Sequence, residues 1–170
     1  MFEVIALAAP PVRRLTLCAV LTALALALSA AEGLVPLTVI FPLPGLRLGL
    51  ANLVTVYALC RLSGREALLI LAARCLLGAL VGGSLTAGLL ALGTMALLLR
   101  CGRFSLFGVS IAGAAAHNTG QILAAMAVLG SRAPLAYLPP LLLCSLATGA
   151  FTGGVSAMLV RRIPAPLRAD

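Results

Sequence analysis

A chain of 170 residues that is 62% hydrophobic and 9% charged, with mean hydropathy +1.18, has too little polar residue content to coat a water-soluble domain of its size. Its formal charge of +8 comes from arginine alone, twelve Arg and no Lys against four acids. Without Lys there is neither a Walker-type phosphate loop nor Schiff-base chemistry, so ATP hydrolysis by this chain is not expected.

The apolar runs predict an all-α, polytopic six-transmembrane-helix bundle occupying a single integral membrane domain, 1–170. A bilayer core about 30 Å thick takes roughly 20 apolar residues per helix. Long Leu/Ala runs do not alternate as the strands of a transmembrane barrel would, and helices are the other way to satisfy the backbone in lipid. In chain order the predicted spans are Leu15–Val35, Leu48–Leu62, Ala67–Gly82, Leu85–Leu99, Phe104–Leu129 and Leu135–Val160, with 1–14 and 161–170 as cytoplasmic ends. Spans two to four are short, which predicts tilting, breaks or shielding by neighbours.

The arginines set the expected orientation. With the N-terminus inside, Arg13, Arg14, Arg61, Arg65, Arg100, Arg103, Arg161, Arg162 and Arg168 are cytoplasmic, while Arg47 and Arg132 fall outside and Arg74 lies within span three. Nine against two is a positive-inside bias, so a multi-pass protein of the cell (plasma) membrane with both termini cytoplasmic is expected. Arg13-Arg14 before an apolar run, with small residues Ser29-Ala30-Ala31 after it, also fits a cleavable signal; five spans would then remain, and intact mass separates the two cases. The inner loops are tight, at Ser63-Gly64 and Cys101-Gly102. Pro36, Pro42, Pro44 and Gly45 make Pro36–Gly45 a stiff, extended outer segment, either a cover over the outer mouth or a plain connector.

Small residues recur every four positions: Ala19, Ala23, Ala27 and Ala31 in span one; Gly108, Ala112, Ala116, Gly120 and Ala124 in span five; Ser145, Gly149, Gly153 and Ala157 in span six. Spacing of four puts each set on one helix face, where close backbone approach holds membrane helices together. Spans five and six are therefore expected inside the bundle. The span-one face can pack there too, or against an external protein.

Polar groups at membrane depth face a cavity or a partner. Here they are Glu32, Asn52, Arg74, His117, Asn118 and Gln121, with Arg47 at the outer boundary. His117 and Gln121 share a face with Gly113, which is expected to leave open space beside a donor/acceptor pair; Asn118 lies about 100° away, where it can bridge helices instead. Two readings follow. In one, Arg74 and Glu32 form a buried ion pair and the remaining groups glue helices together. In the other, the seven residues line an outward pocket whose net positive charge, from Arg47 and Arg74 against Glu32, suits a small solute with an anionic group held by an arginine fork.

Other chemistries lack their residues. His117 is the sole His, and Cys18, Cys60, Cys75, Cys101 and Cys144 form no Cys-x-x-Cys pair, so no metal site, disulfide framework or cofactor is expected. Glu3, Glu32, Glu66 and Asp170 are the only acids and offer no pair for acid–base work, so no catalytic residue is assigned. Nucleic-acid binding is not expected, because no basic face carries interleaved aromatics.

Three segments resemble the Gx transporter family, often labelled heptaprenyl diphosphate synthase component I: Pro42-Leu43-Pro44-Gly45-Leu46-Arg47-Leu48-Gly49-Leu50-Ala51-Asn52, Arg74-Cys75-Leu76-Leu77-Gly78, and Gly113-Ala114-Ala115-Ala116-His117-Asn118-Thr119-Gly120-Gln121. The resemblance extends from about Leu15 to Val160, and its first and last segments are fairly specific. That family is grouped with the substrate-binding S components of energy-coupling-factor transporters. The resemblance implies a six-helix bundle, a solute pocket near the outer surface with loops as lids, and docking of a small-residue face of helix one, here Ala19, Ala23 and Ala27, on a membrane coupling protein driven by two ATPases. Prenyl diphosphate synthases hold magnesium and diphosphate on Asp-rich motifs. A chain whose one Asp is Asp170 is not expected to be a catalytic subunit, which leaves a non-catalytic membrane accessory subunit as the second reading. A self-contained channel or carrier is the third, although no selectivity ring or inverted repeat is visible.

Overall fold

The structure, a computed structural model, describes residues 11–34, 49–79 and 85–162. Its regular elements are all helical: α1 (Pro11–Leu34), α2 (Leu50–Arg61), α3 (Gly64–Ala79), α4 (Leu85–Cys101), α5 (Leu106–Leu129) and α6 (Leu138–Arg162), with a 3-10 turn at Ala133–Tyr137 before α6. Among the described residues there is no strand. Six helices appear in the expected order, with shifted ends. Span six starts later than Leu135 because the Pro134 turn precedes it; Pro139 and Pro140 then sit in the first turn of α6, where a missing N–H removes no helical bond. Span three starts earlier than Ala67, because Ser63 and Glu66 cap it reciprocally: the Ser63 N–H donates to Glu66 Oε2 (2.8 Å) and the Glu66 N–H to Ser63 Oγ (3.2 Å). Gly49 enters α2 at φ +74°, a left-handed backbone that a side chain would strain.

The centre of the bundle is α2. It packs on every other helix, and seven of its twelve residues, Ala51, Asn52, Val54, Thr55, Val56, Tyr57 and Ala58, are buried. The helices with small-residue ladders, α5 and α6, do pack on each other within the bundle, while α2, which has no such ladder, is the more enclosed. A ladder marks one close contact, whereas a surrounded helix must be apolar on all sides, as α2 nearly is. Around α2 the contacts run α1–α3–α4–α5–α6, and α1 does not pack on α4, α5 or α6 among the described residues.

The glycines explain the tightest crossings. A Cβ on Gly149 would stand 2.5 Å from Ile111 Cα, one on Gly153 2.9 Å from Phe107 Cα, and one on Gly120 2.5 Å from Ala87 Cα. So α5 lies backbone-close to α6 on one side and to α4 on the other. Gly108, by contrast, approaches only Phe104 and Ser105 of its own chain entry. Buried hydroxyl and amide pairs fasten the α5–α6 contact. Ser110 Oγ and Thr152 Oγ1 are hydrogen-bonded at 2.8 Å, and because Thr152 already donates to Thr148 O (3.0 Å), Ser110 is the donor. The Asn118 amide donates to Ser145 Oγ (2.8 Å) and Leu141 O (3.2 Å).

Polarity is inverted relative to a water-soluble fold. Glu32, Asn52, Arg74, Ser110, Asn118, Ser145, Thr152 and Ser156 are buried, while Leu15, Leu69, Leu76, Leu97, Leu129 and Leu143 are each more than 60% exposed. Every helix but α2 contributes large exposed hydrophobics. Two stretches, Arg14–Glu32 and Ala133–Arg162, are long and apolar enough to cross a membrane.

Candidate functional site

With a 1.5 Å rise per residue, α2 (12 residues) is about 18 Å long and α5 (24 residues) about 36 Å. Side chains hold α2 at the arginine-rich end of the bundle, where Arg61 Nη2 donates to Val160 O of α6. The opposite end of α2, Gly49 to Asn52, is where Glu32 of α1 comes in.

Glu32 reaches this end of α2 from α1. Its Oε1 accepts the Leu50 N–H, so a carboxylate from another helix caps the N-terminus of α2, where Gly49 has no side chain to do so. Negative charge there also complements the helix dipole. Asn52, buried, sits one turn into α2, its Nδ2 3.2 Å from where a Gly49 Cβ would stand.

Arg74 lies on the inward face of α3, which buries Ala67, Ile70, Leu71 and Cys75 on either side of it. A Cβ on Gly88 would be 3.7 Å from Arg74 Nη2 and 2.9 Å from Cys75 Sγ, so the guanidinium runs along α4 through the space Gly88 leaves. The preceding residue, Ala87, marks where α5 crosses at Gly120, and Thr86 Oγ1 donates to Gly120 O (3.3 Å).

His117 and Gln121 stand within one turn of Gly120. Their Nε2 atoms are hydrogen-bonded at 3.2 Å, and the tautomer and amide orientation decide which donates. Gln121 Oε1 is buried without a hydrogen-bond partner among the described residues. At about 100° per residue, the pair falls between the α5 strip facing α4 (Gly113, Gly120) and the strip facing α6 (Ile111, Asn118). Arg74 lies against α4 at Gly88, while His117 and Gln121 stand beside the crossing of α5 with α4 at Ala87; α3 and α5 do not pack on each other among the described residues.

Two expectations change. Gly113 does not leave open space, because Met95 of α4 fills it: a Cβ on Gly113 would collide with Met95 Cε and stand 2.7 Å from its Cγ. Asn118 turns to α6 and fastens two helices, as its angular offset allowed. Arg47 and the Pro36–Gly45 segment lie outside the described residues. The residues missed by sequence reasoning are Thr86 and Met95. Threonine and methionine inside apolar runs give no signal of their own, since Thr bonds readily to backbone carbonyls and Met fills gaps. On α1, Ala19, Ala23, Ala27 and Ala31 are all exposed, so that small-residue face turns out of the bundle.

The fold and its burial pattern define a class: an all-α bundle with polar groups buried inside and large hydrophobics on its exterior. Within that class, the chain belongs to the heptaprenyl diphosphate synthase component I family, whose sequence profile matches residues 21–159. No curated protein and no solved structure matches the chain.

Proposed function

We propose that this chain is a six-pass plasma-membrane protein with both termini cytoplasmic that captures a small anionic solute, as the substrate-binding component of an uptake transporter. The reading is supported by polar side chains held among the helices: Arg74 against α4 at Gly88, and the hydrogen-bonded His117–Gln121 pair within one turn of the Gly120–Ala87 crossing. A guanidinium, an imidazole and an amide are the donor types that hold a carboxylate or phosphate. Asn52 and Glu32, both buried at the start of α2, and Arg47 complete the set of polar residues assigned to the solute. The apolar belt of exposed Leu supports membrane embedding, since a surface of that kind is stable in lipid and aggregates in water. The outward Ala19, Ala23 and Ala27 face suits close docking on a membrane coupling protein that brings its own ATPases. The chain itself carries out no catalysis in this scheme.

The family description favours a second reading, a non-catalytic membrane accessory subunit of a prenyl diphosphate synthase. Gentle extraction from the native membrane followed by intact-complex mass measurement discriminates the two. A complex containing two ATPases and a second membrane protein supports the transporter; a complex with a soluble prenyl synthase supports the accessory subunit and sinks the transporter.

A further inference from the structure

Arg74 and the His117–Gln121 pair belong to helices that do not touch. α3 and α5 have no packing contact among the described residues, whereas α4 packs on both. Both contacts involve consecutive residues at the start of α4. On the α5 side, Thr86 Oγ1 donates to Gly120 O (3.3 Å), and a Cβ on Gly120 would stand 2.5 Å from Ala87 Cα. Gly88 lies about 100° further round the helix and faces α3. A Cβ there would stand 2.9 Å from Cys75 Sγ, 3.1 Å from Leu71 Cδ1 and 3.7 Å from Arg74 Nη2.

This turn has little slack on either side. Ala87 and Gly88 are buried, and so are Leu71, Arg74 and Cys75. A carbon placed 2.9 Å from a sulfur is well inside the distance at which such atoms settle. Leu71 and Cys75 are enclosed, so part of the shift passes to the backbone of α3 and carries Arg74 with it. On the other side, Gly120 brings α5 onto the backbone of α4 within one turn of His117 and Gln121, and the Thr86 hydroxyl fixes the register of that crossing.

We propose that Thr86, Ala87 and Gly88 are positioning residues: the first turn of α4 sets how the Arg74 guanidinium and the His117–Gln121 pair are held relative to each other, and through that the affinity for the solute. The three act through α3 and α5 and need not contact the solute. The proposal rests on the solute reading above and assigns part of its affinity to small residues that carry no charge.

The test is equilibrium dialysis of the full chain in mild detergent. The probe is the small anion that the parent carries out of its membrane, weighed by mass spectrometry and added back. Gly88→Ala should weaken binding at least about fivefold, on the scale of coupling between residues in contact. In an Arg74→Ala background, measured at raised anion concentration, the same change should have no effect, because the group it displaces is gone. In a His117→Ala background it should weaken binding as before. Thr86→Val, at an exposed position and of the same shape, should show the reverse pattern: a loss of about threefold, the scale of one interhelical hydrogen bond in a membrane protein, that disappears with His117→Ala and persists with Arg74→Ala. Cys75→Ala should bring Gly88→Ala back to within about twofold of the parent by removing the Sγ that the new Cβ meets. Gly93→Ala, on the same helix with nothing within 4 Å of its Cβ, should leave binding unchanged. Binding weakened equally by Gly88→Ala in both backgrounds, or not weakened in the parent, overturns the positioning role and leaves a packing contact. A parent that brings no anion out of its membrane overturns the solute reading instead.

Discussion

Gly149→Ala is expected to loosen the backbone-close α5–α6 contact. The new Cβ would stand 2.5 Å from Ile111 Cα and 3.0 Å from Ile111 N, both backbone atoms that no rotamer change can move. Carbon contacts settle near 3.5–4.0 Å, so the two helices must separate locally by about 1 Å. The bonds one turn to either side, Asn118–Ser145 and Ser110–Thr152, are 2.8 Å each and would stretch beyond good geometry. Interhelical hydrogen bonds in membrane proteins are worth about 0.6 kcal/mol each on average. Adding lost packing along the crossing and subtracting about 1 kcal/mol for the better helix propensity of Ala leaves a net loss of about 1–3 kcal/mol. The assay is unfolding in mixed micelles by titrated dodecyl sulfate, read by helical circular dichroism. Gly93→Ala is the control, because a Cβ there meets nothing within 4 Å; it should be neutral or mildly stabilising. A Gly149→Ala variant as stable as the parent, or a Gly93→Ala variant equally weakened, would refute the close-approach reasoning.

Further expectations separate site from scaffold. Asn118→Ala should lower stability by about 1 kcal/mol in the same titration and leave solute affinity within about twofold, because its amide serves α6. His117→Ala should weaken solute binding at least about tenfold by equilibrium dialysis while retaining full helix content, the loss expected when a charge-assisted hydrogen-bonding site is truncated. Glu32→Ala should cost about 1–3 kcal/mol by leaving the Leu50 N–H uncapped, and Glu32→Gln less, since an amide oxygen still accepts; chemical unfolding midpoints distinguish them. Gly113→Ala should destabilise, and Met95→Ala should relieve it in the double variant, a positive coupling measurable by a double-mutant cycle.

How far the sequence alone could be read differs between fold and site. Six helices were legible because apolar runs punctuated by Arg, Gly and Pro define their number and order. The divergence of Asn118 from His117 and Gln121 was legible as well, since 100° per residue is a property of the helix itself. What faces a residue is not. Gly113 reads as an opening until Met95, eighteen positions earlier in the chain, is found occupying it. Glu32 reads as a membrane carboxylate in need of a cation, and only the approach of Leu50 across the 35–48 connection reveals its backbone acceptor role. The central place of α2 depends on five neighbours at once, and spans three and four look as short and as apolar as it does. The Ser63–Glu66 capping box was legible as Ser-x-x-Glu, although the same letters also pass for a tight loop and an isolated acid.

The most direct measurement is native mass spectrometry of the parent chain beside Arg74→Ala and Asn118→Ala, each released from its own membrane into mild detergent. If Arg74 holds a solute as proposed, the parent and Asn118→Ala carry a bound small anion of the same mass and Arg74→Ala does not. Three empty proteins, or an anion retained equally without the Arg74 guanidinium, would contradict it and leave a helical scaffold whose buried polar groups serve packing alone.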